Sequence, residues 1–326
     1  MNLAVGVIGA GIMGTEHARI LCEDTPGARL AAICDADESR ARAAGRGQSQ
    51  VFSDPHALIF SDKVDAVVIA APDSTHKELA LACIEAGKPV LCEKPLAVTA
   101  AEAIEVVEAE VAKGRKLVQV GYMRRFDPPY VDMRRVRESG GIGDPVILHN
   151  VHRNAVVPEW FTGAMSVTNA FVHEIDISRW LLGAEMISAQ AHCGVGGDPL
   201  LVTMETDRGE IVSTEVFMNC RYGYHVHAQL VGRDGTIETA VPITTLTNAS
   251  GRHEFGFPDN WVPRFRTAYA NQMKAWVAAA AGGRASDGAN AWDGYVTTSI
   301  AEQVVAALEM QSRVRLSLMT RPSFYD

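Results

Sequence analysis

The chain has 326 residues, of which 47% are hydrophobic and 21% charged, and its formal net charge is -9. This composition is typical of a globular protein long enough for two domains, and it argues against intrinsic disorder. The negative charge disfavours nucleic acid and anionic membranes as partners, because both bind basic surfaces. No apolar run approaches the ~20 residues that would span a bilayer.

The first third of the chain alternates short apolar runs with helical patterns. Strands are predicted at residues 3–8, 30–34, 65–70, 90–92 and 117–121, and helices at 13–21, 76–86 and 100–113. Near-continuous apolar strands between helices indicate a parallel sheet covered on both faces. The N-terminus leads directly into the first strand without a basic flank or a cleavage site, so we expect no signal peptide.

The pattern changes after Gly121, where a helix is predicted at 128–138. From Val146 onward, polar and apolar residues alternate, most clearly at 211–219 and 225–231, which predicts mostly antiparallel strands with one covered face. Helices are predicted at 168–182, 264–281 and 292–313. We therefore expect one domain over residues 1–122 and an α+β domain over 123–326.

A glycine-rich turn, Gly9-Ala10-Gly11-Ile12-Met13-Gly14, lies between the first predicted strand and the first helix. Its glycines permit a tight turn, close approach of a pyrophosphate and close helix–strand packing, and the helix N-terminus offers free N–H groups. We expect Ile12 and Met13 to lie at the cofactor with the three glycines. The alternative is a tight turn that binds nothing.

Asp35 ends the second predicted strand, about 20 residues after Gly14, where an acidic residue binds the adenosine ribose and repels a 2′-phosphate. No arginine follows until Arg40 and Arg42, so NAD is favoured over NADP. An ordinary acidic turn residue is the alternative interpretation of Asp35.

The loop after the strand at 65–70 is predicted to flank the cofactor, because ligands bind at the carboxyl ends of parallel strands. His76 can lie near the cofactor or can simply begin the next helix. The loop residues expected at the cofactor are Ala71, Pro72, Ser74 and His76.

Glu93-Lys94-Pro95 follows the short strand at 90–92. An ammonium at this strand end can stabilise a developing alkoxide, and partial burial would lower its pKa. The alternative is a surface lysine whose stem covers apolar side chains.

A second candidate group lies on the helix at 168–182. In an α-helix, Asn169, His173 and Asp176 would share one face, and a polar neighbour one turn away can orient a histidine that acts as a base. A buried histidine with no chemical role is the alternative. The segment is not an HExxH motif, so we expect no metal.

These motifs resemble those of the glucose–fructose oxidoreductase and inositol dehydrogenase (Gfo/Idh/MocA) family, and in particular its inositol 2-dehydrogenase branch. The resemblance covers essentially the whole chain. It is carried by the glycine turn, Cys92-Glu93-Lys94-Pro95-Leu96, 121-GYMRRFD-127, 152-HRN-154, 173-HEID-176, 220-CRYGY-224 and 291-AWDGY-295.

The resemblance implies an NAD-binding Rossmann domain at 1–122 and a substrate-binding and oligomerisation domain at 123–326, in a homodimer or homotetramer. It implies Lys94 and His173 as the catalytic lysine and histidine. Glu93 and Lys94 would also lie at the cofactor. Positions at or near the substrate would be Arg124, His152, Asn154, Asn169, His173 and Tyr224. For His152 and Asn154, alternate residues of one strand face the same way in any case, and Tyr224 can equally pack on the sheet.

The chain departs from the family at Asn169, where inositol dehydrogenases commonly have aspartate. Asparagine can orient His173 but brings no charge, so we expect a weaker base with a lower pKa. Either the substrate is an amino- or deoxy-cyclitol or a sugar, or another carboxylate assists. Asp176 is the candidate for that role, unless it pairs with Arg179 or caps the helix.

The leading hypothesis is a cytoplasmic NAD-dependent dehydrogenase that oxidises a secondary hydroxyl of a cyclitol or sugar. Six cysteines without a CxxC pair favour a reducing compartment. One alternative is a non-catalytic NAD-binding sensor or regulatory protein of the same fold. Another is an enzyme acting on a sugar nucleotide or an acyclic sugar acid, although the negative charge disfavours a large anionic substrate.

Overall fold

The computed structural model describes residues 2–161, 163–240 and 245–326. The chain divides into two compact units. The first comprises Met1–Met123, Ala268–Ser299 and Met319–Asp326, and the second comprises Arg124–Thr267 and Ile300–Leu318. The first unit is therefore completed by parts of the last two helices and by the final eight residues, far along the chain from the proposed domain boundary at residue 122.

The first unit is built on a six-stranded sheet in which every neighbouring pair is parallel. The strand order is β3-β2-β1-β4-β5-β6, which brings the carboxyl ends of β1 and β4 side by side at the switch point where such sheets bind ligands. The strands are β1 (Leu3–Ile8), β2 (Ala28–Cys34), β3 (Gln50–Phe52), β4 (Ala66–Ile69), β5 (Val90–Cys92) and β6 (Val118–Val120). This sheet confirms the predicted parallel architecture.

Nine α-helices lie in the described part of the chain: α1 (Ile12–Glu23), α2 (Glu38–Ala44), α3 (Pro55–Ile59), α4 (His76–Glu85), α5 (Ala100–Lys113), α6 (Pro128–Glu138), α7 (Val172–Leu182), α8 (Trp261–Ala281) and α9 (Ala291–Met310). The ends of α5 show why a predicted helix begins and ends where it does. Thr99 and Glu102 form a reciprocal capping box at its start, and Gly114 follows its end with φ 69°.

The second unit contains a seven-stranded sheet in the order β12-β11-β7-β10-β9-β8-β15. Only the β7–β10 pair is parallel among its described neighbours, which confirms a mostly antiparallel sheet. Its strands are β7 (Pro145–Arg153), β8 (Met186–Cys193), β9 (Leu200–Thr206), β10 (Ile211–Phe217), β11 (His225–Gly232), β12 (Thr236–Glu238) and β15 (Val314–Arg315); a separate hairpin contains β13 (Thr247–Ala249) and β14 (Arg252–Glu254).

The helix predicted at 168–182 has a wider first part than expected. Ser166–Phe171 forms a π-helical turn, with hydrogen bonds from residue i to i+5, and α7 begins only at Val172. Asn169 therefore lies in the π turn before α7, and the common face predicted for Asn169, His173 and Asp176 stays a prediction. Such turns are frequent at functional sites.

Candidate active site

The glycine turn of the first unit is shaped by contacts that exclude larger side chains. Gly9 has φ 93°, and a Cβ there would lie 2.3 Å from the carbonyl oxygen of Ala70. A Cβ at Gly14 would lie 1.9 Å from the carbonyl oxygen of Gly9. A Cβ at Gly11 would meet no described atom within 4 Å, so this backbone faces open space. The turn is therefore tight on the protein side and open on the side where a pyrophosphate would approach.

A cavity of about 540 Å³ opens in front of this turn. Its wall includes Gly9 and Gly11 of the turn, Asp35 after β2, and Ala71 and Pro72 after β4. Ile12 and Ser74, which were also expected at the cofactor, are exposed, and Met13 is half-buried. The cavity thus unites the carboxyl ends of β1, β2 and β4, as the sequence pattern predicts for a dinucleotide site.

Asp35 is held rigidly at the edge of this cavity. One carboxylate oxygen accepts a hydrogen bond from the N–H of Ala10 at 2.7 Å, and the other accepts from the N–H of Asp37 at 2.8 Å. The guanidinium of Arg40 lies 3.0 Å from the second oxygen. Asp35 is therefore fixed next to the glycine turn, and Arg40 already faces a carboxylate.

His76 is buried at the start of α4 and connects two backbone segments. Its Nδ1 lies 2.6 Å from the carbonyl oxygen of Pro95, and its Nε2 lies 2.9 Å from that of Ala71. Both ring nitrogens therefore face backbone carbonyls. In this arrangement the ring fixes the loop after β4 against the segment that carries Lys94.

Glu93 and Lys94 lie directly after β5. Lys94 is half-buried, whereas Glu93 is buried and its Oε1 lies 2.7 Å from Nε2 of His17 in α1. Sequence reasoning missed His17. Its position three residues after Gly14, on the same buried face of α1 as Ala18 and Leu21, was the signal that could have found it.

In the second unit, His173 lies in the first turn of α7 and Asn169 lies in the preceding π turn, and both side chains are half-buried. The side-chain oxygen of Asn169 accepts a hydrogen bond from the hydroxyl of Thr168 at 3.0 Å.

Beside His173, a buried ion pair joins Arg124 to Glu174, and both side chains are essentially inaccessible. Nδ1 of His152 lies 3.1 Å from Oε2 of Glu174. The same nitrogen lies 3.3 Å from Nη2 of Arg124. Burial alone would raise the pKa of Glu174, but Arg124 and His152 outweigh it and hold that pKa below its usual range. An ionised Glu174 can only accept hydrogen bonds, so Nδ1 of His152 donates to it and the ring of His152 is held in place.

The ring of His152 connects this ion pair to two other predicted site residues. Its centroid lies 6.3 Å from that of His173 and 5.8 Å from that of Tyr224. Tyr224 is buried, and burial raises the pKa of its phenol. Asn154 follows the end of β7 and is half-buried. The second unit thus brings Arg124, His152, His173 and Tyr224 into one cluster.

Asp176, the carboxylate expected to assist His173, forms a buried ion pair with Arg125. The contact is bidentate: Nη2 of Arg125 donates to Oδ1 of Asp176 at 2.6 Å, and Nε donates to Oδ2 at 3.0 Å. Arg179, its other expected partner, lies 2.6 Å from Glu185. The carboxylate in the cluster beside His173 is therefore that of Glu174, whereas Asp176 forms its ion pair with Arg125.

Within residues 2–161, 163–240 and 245–326, no group of three or more histidine, cysteine, aspartate or glutamate side chains is arranged to hold a metal. No helix in the same ranges is both long and apolar enough to cross a membrane.

A parallel sheet with a glycine turn at its switch point, together with a separate mixed sheet, is the architecture of a dinucleotide-binding protein with a second domain. Residues 3–122 match the model of an oxidoreductase family with an NAD-binding Rossmann fold, and residues 130–238 match the GFO/IDH/MocA C-terminal domain. The chain therefore belongs to the Gfo/Idh/MocA oxidoreductase family, as its motifs predicted.

Several relatives extend this similarity over the full length. The chain is 48% identical to inositol 2-dehydrogenase 1 of Saccharopolyspora erythraea, covering 100% of this chain and 99% of that protein. It is 38% identical to inositol 2-dehydrogenase of Agrobacterium fabrum, covering 100% of each. The crystal structure of myo-inositol dehydrogenase from Lactobacillus casei, in complex with NAD(H) and myo-inositol, superposes with a TM-score of 0.95 at 29% identity, covering 100% of each chain.

Proposed function

We propose that this protein is an NAD-dependent dehydrogenase that oxidises a secondary hydroxyl of an inositol, of an amino- or deoxy-cyclitol, or of a related sugar. The observation that carries the proposal is the full-length similarity to proteins named inositol 2-dehydrogenases, at up to 48% identity. The similarity to a structure holding NAD(H) and myo-inositol supports both the cofactor and the substrate class.

The first unit fits the cofactor. Its cavity of about 540 Å³ is bordered by the open backbone of Gly11 and by the fixed carboxylate of Asp35. When bound, NAD supplies the nicotinamide carbon that accepts a hydride. Asp35 is suited to accept hydrogen bonds from an adenosine ribose and to repel a 2′-phosphate, and Arg40 is already engaged by Asp35. These contacts support NAD over NADP.

In the proposed reaction, His173 takes the proton of the substrate hydroxyl and Lys94 stabilises the oxygen that develops negative charge. Asn169 orients His173 or binds a neighbouring hydroxyl. Arg124 keeps Glu174 ionised, Glu174 fixes the ring of His152, and Nε2 of His152 can form a hydrogen bond with a second hydroxyl. A polyol is a substrate with several hydroxyls that such a site can bind at once.

The test is a turnover assay with purified protein, NAD or NADP, and a panel of inositol isomers, deoxy- and amino-cyclitols and simple sugars, followed by the absorbance of reduced cofactor. We expect turnover of at least one cyclitol with NAD, and a much lower kcat/KM with NADP. Lys94→Met and His173→Gln should each lower kcat by about 100-fold or more.

The absence of turnover on every polyol, in both directions, would contradict the proposal. Binding of NAD and a polyol without turnover would instead favour the non-catalytic sensor. Comparable kcat/KM values for NAD and NADP would show that Asp35 does not discriminate between them.

We further propose a cytoplasmic location and a dimeric or tetrameric assembly. All six cysteines are free thiols, which suits a reducing compartment. Light scattering on the purified protein would give the number of subunits.

A further inference from the structure

We propose that His17 is a positioning residue for Lys94, acting through Glu93. The inference rests on the proposed function, because it assigns a task to the candidate catalytic lysine. Its observation is a buried contact between α1, the helix that begins at the glycine turn, and the segment after β5 that carries Lys94.

The contact is short and shielded from water. Nε2 of His17 lies 2.7 Å from Oε1 of Glu93, with His17 0% and Glu93 8% exposed. Glu93 is a buried carboxylate that needs a donor, and the imidazole N–H is the side-chain donor that the structure gives it. A hydrogen bond to a buried carboxylate is stronger than one between neutral groups, so it can fix the position of Glu93.

Both sides of the pair are held by packing. The ring of Tyr269, in the part of α8 that belongs to the first unit, meets the ring of His17 edge-on at 5.9 Å between centroids. A Cβ at Gly121 would lie 2.7 Å from Oε2 of Glu93, so the backbone after β6 closes over the carboxylate. The carboxylate has little room to move once His17 holds it.

The fixed carboxylate then limits the backbone of Lys94. Oε2 of Glu93 lies 3.4 Å from the backbone nitrogen of Lys94, the next residue. The same segment is also held at Pro95, whose carbonyl oxygen lies 2.6 Å from Nδ1 of the buried His76. Lys94 thus projects from a short segment that is fixed on both sides, and His17 supplies one of the two fixed points.

The arrangement makes one helix serve two tasks. The N-terminus of α1 begins at the glycine turn, and its second turn carries His17. A small displacement of a reacting group costs a large factor in rate, about 100-fold for 1 Å. Losing the His17 contact should therefore act on the chemical step more than on cofactor binding.

The test compares His17→Gln with His17→Met. The amide nitrogen of glutamine can take the place of Nε2 and donate to Glu93, whereas methionine fills similar space without a donor. We expect His17→Met to lower kcat on the best polyol by about 10- to 100-fold with KM for NAD within about twofold, and His17→Gln to keep kcat within about threefold.

A second readout needs no turnover. Lys94 is labelled with an amine-reactive ester in the absence of substrate, and the labelled fraction is followed by mass spectrometry. When Glu93 loses its donor, the segment that carries Lys94 is held at one point fewer and the side chain of Lys94 is less restrained, so His17→Met should label about threefold faster. His17→Gln should label at the wild-type rate. This readout decides the inference even if no polyol is oxidised.

Two outcomes would overturn the inference. The first is His17→Met with wild-type kcat and wild-type labelling of Lys94. The second is an equal loss in both variants together with lower thermal stability and weaker NAD binding, which would mean a purely structural role. If His17→Met does not fold, Glu93→Gln replaces it, with the same slower turnover and faster labelling expected.

Discussion

Each compact unit buries a glutamate that is the chain neighbour of a candidate catalytic residue, and each holds that glutamate with a histidine from another element. Glu93 precedes Lys94 and lies 2.7 Å from His17, whereas Glu174 follows His173 and lies 3.1 Å from His152. The difference is Arg124, whose guanidinium forms an ion pair with Glu174. The first pair is therefore an imidazole–carboxylate contact, whereas the second is a balanced set of charges.

Breaking the balanced set should have the largest effect on stability. Glu174→Leu would leave the buried guanidinium of Arg124 without its counter-ion, and we expect a loss of about 3–5 kcal/mol in the free energy of unfolding. Urea denaturation measures it.

The control is the double variant Arg124→Leu with Glu174→Leu, which removes both charges and should recover much of the loss, because apolar replacement of a whole buried pair is often tolerated. A single variant that loses less than about 1 kcal/mol would show that Arg124 does not depend on Glu174.

The sequence predicts the buried strands of the first unit better than its short elements. Strands such as β4 and β5 were predictable because each is a fully buried apolar run between helices. The short elements α2, β3 and α3 were missed; β3, for example, is as short as β5, but none of its residues is fully buried.

Sequence motifs predict which residues belong to the candidate site, but they do not predict which of those side chains contact each other. His17 and Glu93 are 76 residues apart, and no local pattern records that contact. Asp176 was expected to assist His173, but it pairs with Arg125, whereas Glu174 pairs with Arg124 in the cluster around His152.

Removing the donor of the simpler pair should cost less stability. His17→Leu leaves Glu93 without its imidazole partner but strands no buried arginine, so we expect a loss of about 1–3 kcal/mol in urea denaturation. His17→Gln, which keeps a donor, should lose less than His17→Leu. A loss that equals or exceeds that of Glu174→Leu would remove the distinction between the two pairs.

A third buried glutamate sharpens the comparison. Glu110 accepts hydrogen bonds from the hydroxyl of Tyr325 at 2.6 Å and from the N–H of Val118 at 2.6 Å, both neutral donors. Burial raises its pKa, and these hydrogen bonds only partly oppose the rise. Glu174, which has an arginine, has a lowered pKa instead. The two should therefore make opposite contributions to the pH dependence of stability.

The signs follow from linkage. Because the folded pKa of Glu174 lies below the unfolded value of about 4.3, its stabilisation is present above that pH and is lost as the pH falls through the folded pKa. The folded pKa of Glu110 is raised, so its stabilisation is present below about pH 4.3 and is lost as the pH rises through the folded pKa.

Urea denaturation over a pH series would compare wild type with Glu174→Gln and Glu110→Gln. We expect the smallest effects of the three experiments: a weaker loss of stability on acidification in Glu174→Gln, and a weaker loss as the pH rises in Glu110→Gln. If both variants changed stability only on the acidic side, or only on the basic side, of the plot of stability against pH, Arg124 would not explain the difference between the pKa values of the two carboxyl groups. Changes on opposite sides, acidic for Glu174→Gln and basic for Glu110→Gln, would support the idea that pairing with an arginine determines whether a buried glutamate in this fold is charged.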